Sequence, residues 1–150
     1  MARIAVSCDE HGHLVDVVLR ELEARGHEAV YFGPKAGEDP QDWPLVTHKA
    51  VTMVAEGEAD EAIVMCWTGT GCAIAANKVP GIRAALCQDA ETAKGARTWN
   101  HANVLALSMR ATPEAITKEI LDLWFATPFS EDEWNALQME RLRALESTLR

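Results

Sequence analysis

Long hydrophobic runs are missing from this chain. No apolar stretch approaches the roughly 18 residues that a membrane-spanning helix requires. Met1-Ala2-Arg3 leads straight into a strand-like segment, so neither a membrane span nor a signal peptide is expected. Positive charge is scarce: 14 Lys and Arg stand against 23 Asp and Glu, a net charge of −9. That balance argues against nonspecific binding of nucleic acid or an anionic membrane, while leaving room for a local basic pocket. Cysteine is confined to Cys8, Cys66, Cys72 and Cys87, with no Cys-x-x-Cys pair. Reduced thiols in a cytoplasmic protein are the expectation. His11, His13, His27, His48 and His101 lack zinc-ligand spacing, so no metal site is expected. Repeats, low-complexity tracts and long linkers are absent as well, and 150 residues suffice for one domain, 1–150, with a full core.

Short apolar runs are present, and helical patterns separate them. Strands are predicted at Arg3–Ser7, Glu28–Phe32, Glu61–Met65, Arg83–Leu86 and Val104–Leu107. Helices are predicted at His13–Arg25, Pro44–Glu56, Ala73–Lys78, Ala90–Thr98 and Pro113–Phe125. Such alternation implies crossovers and a parallel sheet covered on both faces, an α/β doubly wound, Rossmann-like fold of three layers. A last helix, Glu131–Leu149, carries Trp134, Leu137, Leu142, Leu145 and Leu149 on an apolar face. No strand follows it, so it lacks a berth in the sheet.

The richest stretch is residues 61–79. A strand ends at Met65-Cys66, Thr68 to Gly71 form a Gly-rich turn, and a helix follows. Unpaired N–H groups in such a turn, with a helix behind them, suit negative oxygen. A thiol beside that field tends toward the thiolate, which makes Cys66 a potential base or nucleophile. Three familiar loops do not fit. A Walker loop needs Gly-Lys-Ser/Thr where Gly71-Cys72 stands. A cysteine-phosphatase loop wants arginine at the place of Cys72, and a dinucleotide fingerprint wants glycine at Ile74. In a doubly wound sheet, ligands bind outside the carboxyl ends of the strands, which should bring Asp9, Glu10, His11, Asp42 and the Cys66–Gly71 loop to one crevice. Carboxylates, a histidine, a thiol and a Gly-rich nest suit proton transfer on a polyhydroxylated substrate.

Cys66-Trp67-Thr68-Gly69-Thr70-Gly71, then Ile74-Ala75-Ala76-Asn77-Lys78 and Gly81-Ile82-Arg83-Ala84, resemble the ribose-5-phosphate isomerase type B and LacA/LacB galactose-6-phosphate isomerase family. Cys8-Asp9, Asp42-Trp43-Pro44, Asn103-Val104-Leu105-Ala106 and Arg110 extend the resemblance over roughly residues 2–126. It implies a cofactor-independent aldose–ketose isomerase acting through a cis-enediolate. Cys66 would be the base, Thr68 would help move a proton between the two oxygens, and Asp9 would stand beside them. The amides of Gly69, Thr70 and Gly71 would hold the enediolate oxygen. A homodimer is implied, with residues 131–149 as its dimerisation helix packed on the partner; pairing of dimers into tetramers stays open, as does a tail folded back on its own subunit.

Departures from the family pattern cluster at the substrate. Glu10 stands where a histidine is usual, Trp67 replaces the glycine after the cysteine, and Trp99 replaces the ring-opening histidine ahead of Asn100 and His101. The tail helix opens with Glu131, Asp132 and Glu133 instead of phosphate-gripping arginines, leaving Arg110. The expected substrate is therefore a tetrose phosphate or another variant sugar, not ribose 5-phosphate. The alternative is a non-catalytic sugar-phosphate-binding or regulatory protein on the same fold; retention of Cys66, Thr68 and the loop glycines argues against it.

Overall fold

The computed structural model describes residues 1–148. Five strands alternate with helices: β1 (Arg3–Cys8), α1 (His13–Ala24), β2 (Glu28–Phe32), α2 (Trp43–Ala55), β3 (Glu61–Cys66), α3 (Thr70–Ala76), β4 (Ala84–Leu86), α4 (Ala90–Asn100), β5 (Val104–Ser108), α5 (Glu114–Ala126) and α6 (Glu133–Thr148). All pairings are parallel and the sheet order is β2-β1-β3-β5-β4. The chain steps outward from β1 to β2, then restarts on the other side of β1 with β3. The crevice where strand order reverses thus lies between the carboxyl ends of β1 and β3.

Period-two alternation sorts the strand residues onto two faces. Ile4, Val6, Ile63, Met65, Leu105 and Leu107 pack with Leu14, Val18, Leu22, Ile120, Leu121 and Trp124 from α1 and α5. The opposite face carries Ala5, Ala62, Val64, Cys66 and Ala106, packed with Ala50 and Val51 of α2 and Cys72 and Ala76 of α3. Large side chains on the first face each contribute about 1.5–3 kcal/mol by burial. Small ones on the second let the short helix α3 approach closely beneath the Cys66 loop.

Helix α3 begins three residues before the expected Ala73. Gly69 at φ 77° supplies its left-handed N-cap, a start that side-chain periodicity does not announce. The tail helix has a partial berth within its own chain. It lies against α4 of its own chain, burying Met139, and the Glu146 carboxylate accepts a 2.8 Å bond from the Gly81 amide. Its apolar face stays open, with Trp134 69 % and Leu145 60 % exposed. Leu149, also expected on that face, lies outside the described residues. Among the described residues no helix is long and apolar enough to cross a membrane.

Candidate active site

The Cys66–Cys72 loop is tied down from both ends. Past the end of the β3–β5 ladder, Met109 N–H donates to the Cys66 carbonyl and Arg110 N–H to the Trp67 carbonyl, each at 3.0 Å. The Ser108 hydroxyl adds a second bond to the Trp67 carbonyl, also 3.0 Å. Gly69 sits so close to β5 that a Cβ there would lie 3.0 Å from the Leu107 carbonyl carbon and 2.5 Å from Leu86 Cδ1. Gly71 faces the Trp43 indole, which a Cβ would meet at 3.2 Å. The Thr68 and Thr70 hydroxyls share a 2.7 Å hydrogen bond on the exposed side.

Inside this loop Cys66 is 5 % exposed, and its thiol pKa is lowered from 9.0 to about 6. The thiol of Cys72 is the largest cause, followed on the lowering side by the backbone N–H groups of Cys72 and Gly69; burial and the Asp9 charge oppose them. Hydrogen bonds to the charged form outweigh desolvation here. Cys72 itself is pushed far up, by its contact with Cys66 and by burial. Cys8 and Cys87 are raised to about 12, chiefly by burial, so they remain neutral thiols. Gly69, one of the amides expected to meet an enediolate oxygen, also contributes to lowering the Cys66 pKa. Thr70 and Gly71, in the first turn of α3, need no intrahelical acceptor.

Other expected residues gather around the same crevice. The Asp9 carbonyl accepts from Gln41 N–H at 2.7 Å, which draws the start of α2, with Asp42 and Trp43, toward the end of β1. Asp42 is the α2 N-cap and its side chain makes no capping bond. His11 Nε2 lies 3.0 Å from Asp16 Oδ1, which leaves Nδ1 for another partner. A cavity of about 640 Å³ adjoins the loop and is lined by Glu10, His11, Trp67, Met109, Arg110 and Glu114, among others. Glu114 is engaged by Arg20, so the Arg110 guanidinium keeps its charge available to a ligand.

Trp99, Asn100 and His101 are not brought to Cys66 within one chain. Trp99 and Asn100 line a second cavity, about 700 Å³, with Trp134, Met139 and Leu142 of α6. His101 ends α4 in the left-handed region at φ 48°, stacks on Phe129 at 4.7 Å, and its Nε2 stands 3.3 Å from the Ser130 hydroxyl. Behind it Arg97 lies over Trp124 and Phe129 and pairs with Glu61 at 3.2 Å.

Sequence reasoning passed over Cys72, Met109 and Ser108 as site residues, and it met Trp43 only within the Asp42-Trp43-Pro44 match, not as the neighbour of Gly71. Cys72 read as a buried thiol, and nothing in its spacing from Cys66 matches a known motif. Met109 and Ser108 could have been suspected only from lying at the carboxyl end of β5, beside β3. Among the described residues no cluster of three His, Cys, Asp or Glu side chains could hold a metal ion.

Residues 4–142 match the family model described as Ribose/Galactose Isomerase. Ribose-5-phosphate isomerase B of Escherichia coli (strain K12) is 34 % identical over 147 residues, covering 97 % of each chain. A D-erythrulose-4-phosphate isomerase of Pectobacterium atrosepticum is 33 % identical over 144 residues, 95 % of this chain and 93 % of the relative. The solved structure of Clostridium thermocellum ribose-5-phosphate isomerase B superposes with a TM-score of 0.91 at 34 % identity, covering 99 % of both chains.

Proposed function

The chain belongs to the ribose/galactose isomerase family, and from that premise we propose that it interconverts an aldose and a ketose through a cis-enediolate with Cys66 as general base. The observation that carries the assignment is the Cys66 sulfur, held ionised near neutral pH by the donors of its own loop. A thiolate there takes the proton from the carbon beside the carbonyl and returns it to the neighbouring carbon, while a hydroxyl proton moves between the two oxygens. Thr68 Oγ1, already coupled to Thr70, serves that second transfer. The amides of Thr70 and Gly71 face the oxygen on which charge develops, a contribution of about 3 kcal/mol per well-aimed donor. Asp9 lies close enough to raise the Cys66 pKa, so its carboxylate opposes loss of the proton the base has gained.

The substrate we infer is a four-carbon sugar phosphate. With its terminal oxygen esterified, a tetrose cannot close a furanose, so it needs no ring-opening acid where Trp99 stands. Arg110 lines the 640 Å³ cavity and would take the phosphate, with Glu10 and His11 of the same cavity and Asp42 from the start of α2 on the hydroxyls. The relative named for D-erythrulose 4-phosphate supports this reading.

A second copy of the chain completes the site in this reading. Its Trp99, Asn100 and His101, with the open face of α6, would cover the Cys66 crevice of the first. The deciding experiment is deuterium exchange from solvent into tetrose, pentose and hexose phosphates and free sugars. Exchange at the carbon next to the carbonyl of a tetrose phosphate, lost in Cys66→Ala, is the expected result. No exchange with any sugar would return the chain to a binding role.

A further inference from the structure

Gly12 is the N-cap of α1 and is extended, at φ −155° and ψ 173°, a conformation any residue adopts. Its lack of a side chain answers a different need. A Cβ placed there would lie 2.2 Å from Met109 Cε, so the methyl end of Met109 fills the space a side chain at residue 12 would take. Met109 Sδ lies 3.3 Å from Cys8 Sγ, and the neutral Cys8 thiol donates to it. Cys8 ends β1 and Met109 follows β5, yet β3 lies between these strands. Neighbouring strands stand about 4.8 Å apart, so the Met109 side chain spans the end of β3 to reach β1. Its own N–H holds the Cys66 carbonyl at 3.0 Å. The thioether packs on the large-residue face, whereas Cys66 belongs to the other face. It forms a wall of the 640 Å³ cavity beside Arg110, with Glu10, His11 and Trp67.

We propose that Met109 is a specificity-determining residue, a stop that limits how far a phosphate held by Arg110 can stand from Cys66 and so selects a short sugar chain. This rests on the tetrose phosphate reading and adds to it the side chain that measures length. Arg110, exposed and on a long stem, supplies charge but no fixed distance. Methionine is ordinarily an adaptable filler of apolar gaps. This one is anchored at two atoms, by Cys8 at the sulfur and by Gly12 at the methyl, and so supplies a fixed boundary.

The test uses the full chain, with open-chain four-carbon and five-carbon aldonic acid phosphates as non-reacting ligands and tetrose and pentose phosphates as substrates. Met109→Ala opens the wall, and Met109→Leu keeps its bulk. Gly12→Ala drives the Met109 methyl out of its place, toward the cavity. The parent should bind the four-carbon ligand more tightly in calorimetric titration. One methylene of fit in a pocket discriminates by about tenfold or more. Met109→Ala should therefore lower the four-to-five-carbon preference, in Kd and in kcat/KM, by at least about tenfold, mainly through KM. Met109→Leu should keep most of it. Gly12→Ala should weaken both ligands, and far less so when residue 109 is already alanine, because the two side chains then no longer meet. A merely structural role would lower activity on both sugars alike and leave their ratio in place. A four-carbon preference that survives in folded Met109→Ala, judged by its melting curve, overturns the proposal and leaves the tetrose reading standing. A parent that prefers the five-carbon ligand overturns both.

Discussion

Cys8 and Cys66 end adjacent parallel strands, yet the two sulfurs sit in different fields. Cys8 faces the large-residue side of the sheet, with Met109 Sδ at 3.3 Å, and burial dominates its titration. Cys66 faces the small-residue side, where the loop folds its own donors onto the sulfur. Its folded pKa, about 6, lies below the ordinary 9.0, so the thiolate prevails above pH 6 and would be the working form of the proposed base. kcat/KM should rise through that value and then level. Cys66→Ala should lower activity by about 10²–10⁴-fold, the usual loss for a general base, while Cys87→Ala, a buried thiol away from the loop, should stay active. The same shift has a sign for stability. A depressed folded pKa adds stability that is fully present above the unfolded value, near 9, and disappears as pH falls through 6. Relative to Cys66→Ala, the parent should therefore gain in melting temperature between pH 6 and 9; a difference flat with pH would mean the thiol is not ionised in the fold. Gly69 makes a separate demand. Its φ of 77° and the backbone of β5 at 3.0 Å leave no place for a methyl group. Gly69→Ala is expected to cost roughly 2–4 kcal/mol in urea unfolding. Gly71→Ala should cost less, since it meets only the movable indole of Trp43.

Among the elements, α6 is the one whose burial does not match its composition. It is capped well: the Asp132 carboxylate accepts the Asn135 amide at 3.2 Å, and Glu133 stands in the first turn. The acidic residues that open the tail thus have a local purpose in starting the helix. What the helix lacks is cover for Trp134, Leu142 and Leu145. A chain ending after Phe129 should keep its sheet, because α6 buries only Met139, and should keep the Phe129–His101 stack. Under the proposed dimer it should become monomeric and lose isomerisation. Sedimentation and activity measured together give the check, and a truncated chain that stays dimeric and active removes α6 from the interface. The strands were legible because runs such as Glu61-Ala-Ile-Val-Met are buried on both faces and bounded by turn residues. The order of the strands was not, since placing β5 between β3 and β4 depends on contacts that leave no local pattern. Within the site, the loop from Cys66 to Gly71 was legible as a strand–turn–helix junction. Cys72 was not, because its importance comes from closeness across the loop and not from spacing along the chain.

For the whole molecule, the proposed substrate is argued from the separation of two cavities. One is lined by Trp67, the residue after Cys66, and by Arg110; the other, against Trp99 and α6, lies elsewhere on the same chain and in the proposed dimer would reach the Cys66 of a partner. In the proposed dimer the partner would bring an indole at Trp99, whose N–H donates a hydrogen bond but neither gives up nor takes a proton. It would also bring Glu131 to Glu133 ahead of any tail arginine. A cyclic pentose phosphate must first be opened by an acid–base group, and its phosphate sits one carbon farther from Cys66 than that of a tetrose. Each missing charged hydrogen bond should weaken binding by about 1.5–3 kcal/mol, so two such losses lower affinity by orders of magnitude. Under the proposed assignment a tetrose phosphate would arrive open, with Arg110 as its phosphate cation. The expected outcome is a kcat/KM for a tetrose phosphate at or above the ordinary enzyme level of about 10⁴ M⁻¹s⁻¹, with ribose 5-phosphate at least about a hundredfold lower. Trp99→His should narrow that gap from the ribose side by supplying a group that both gives and takes a proton. Steady-state kinetics on both sugars with both proteins settle the matter. Efficient turnover of ribose 5-phosphate by the parent would mean that the rebuilt end of the site still opens a sugar ring, and the tetrose assignment would fall.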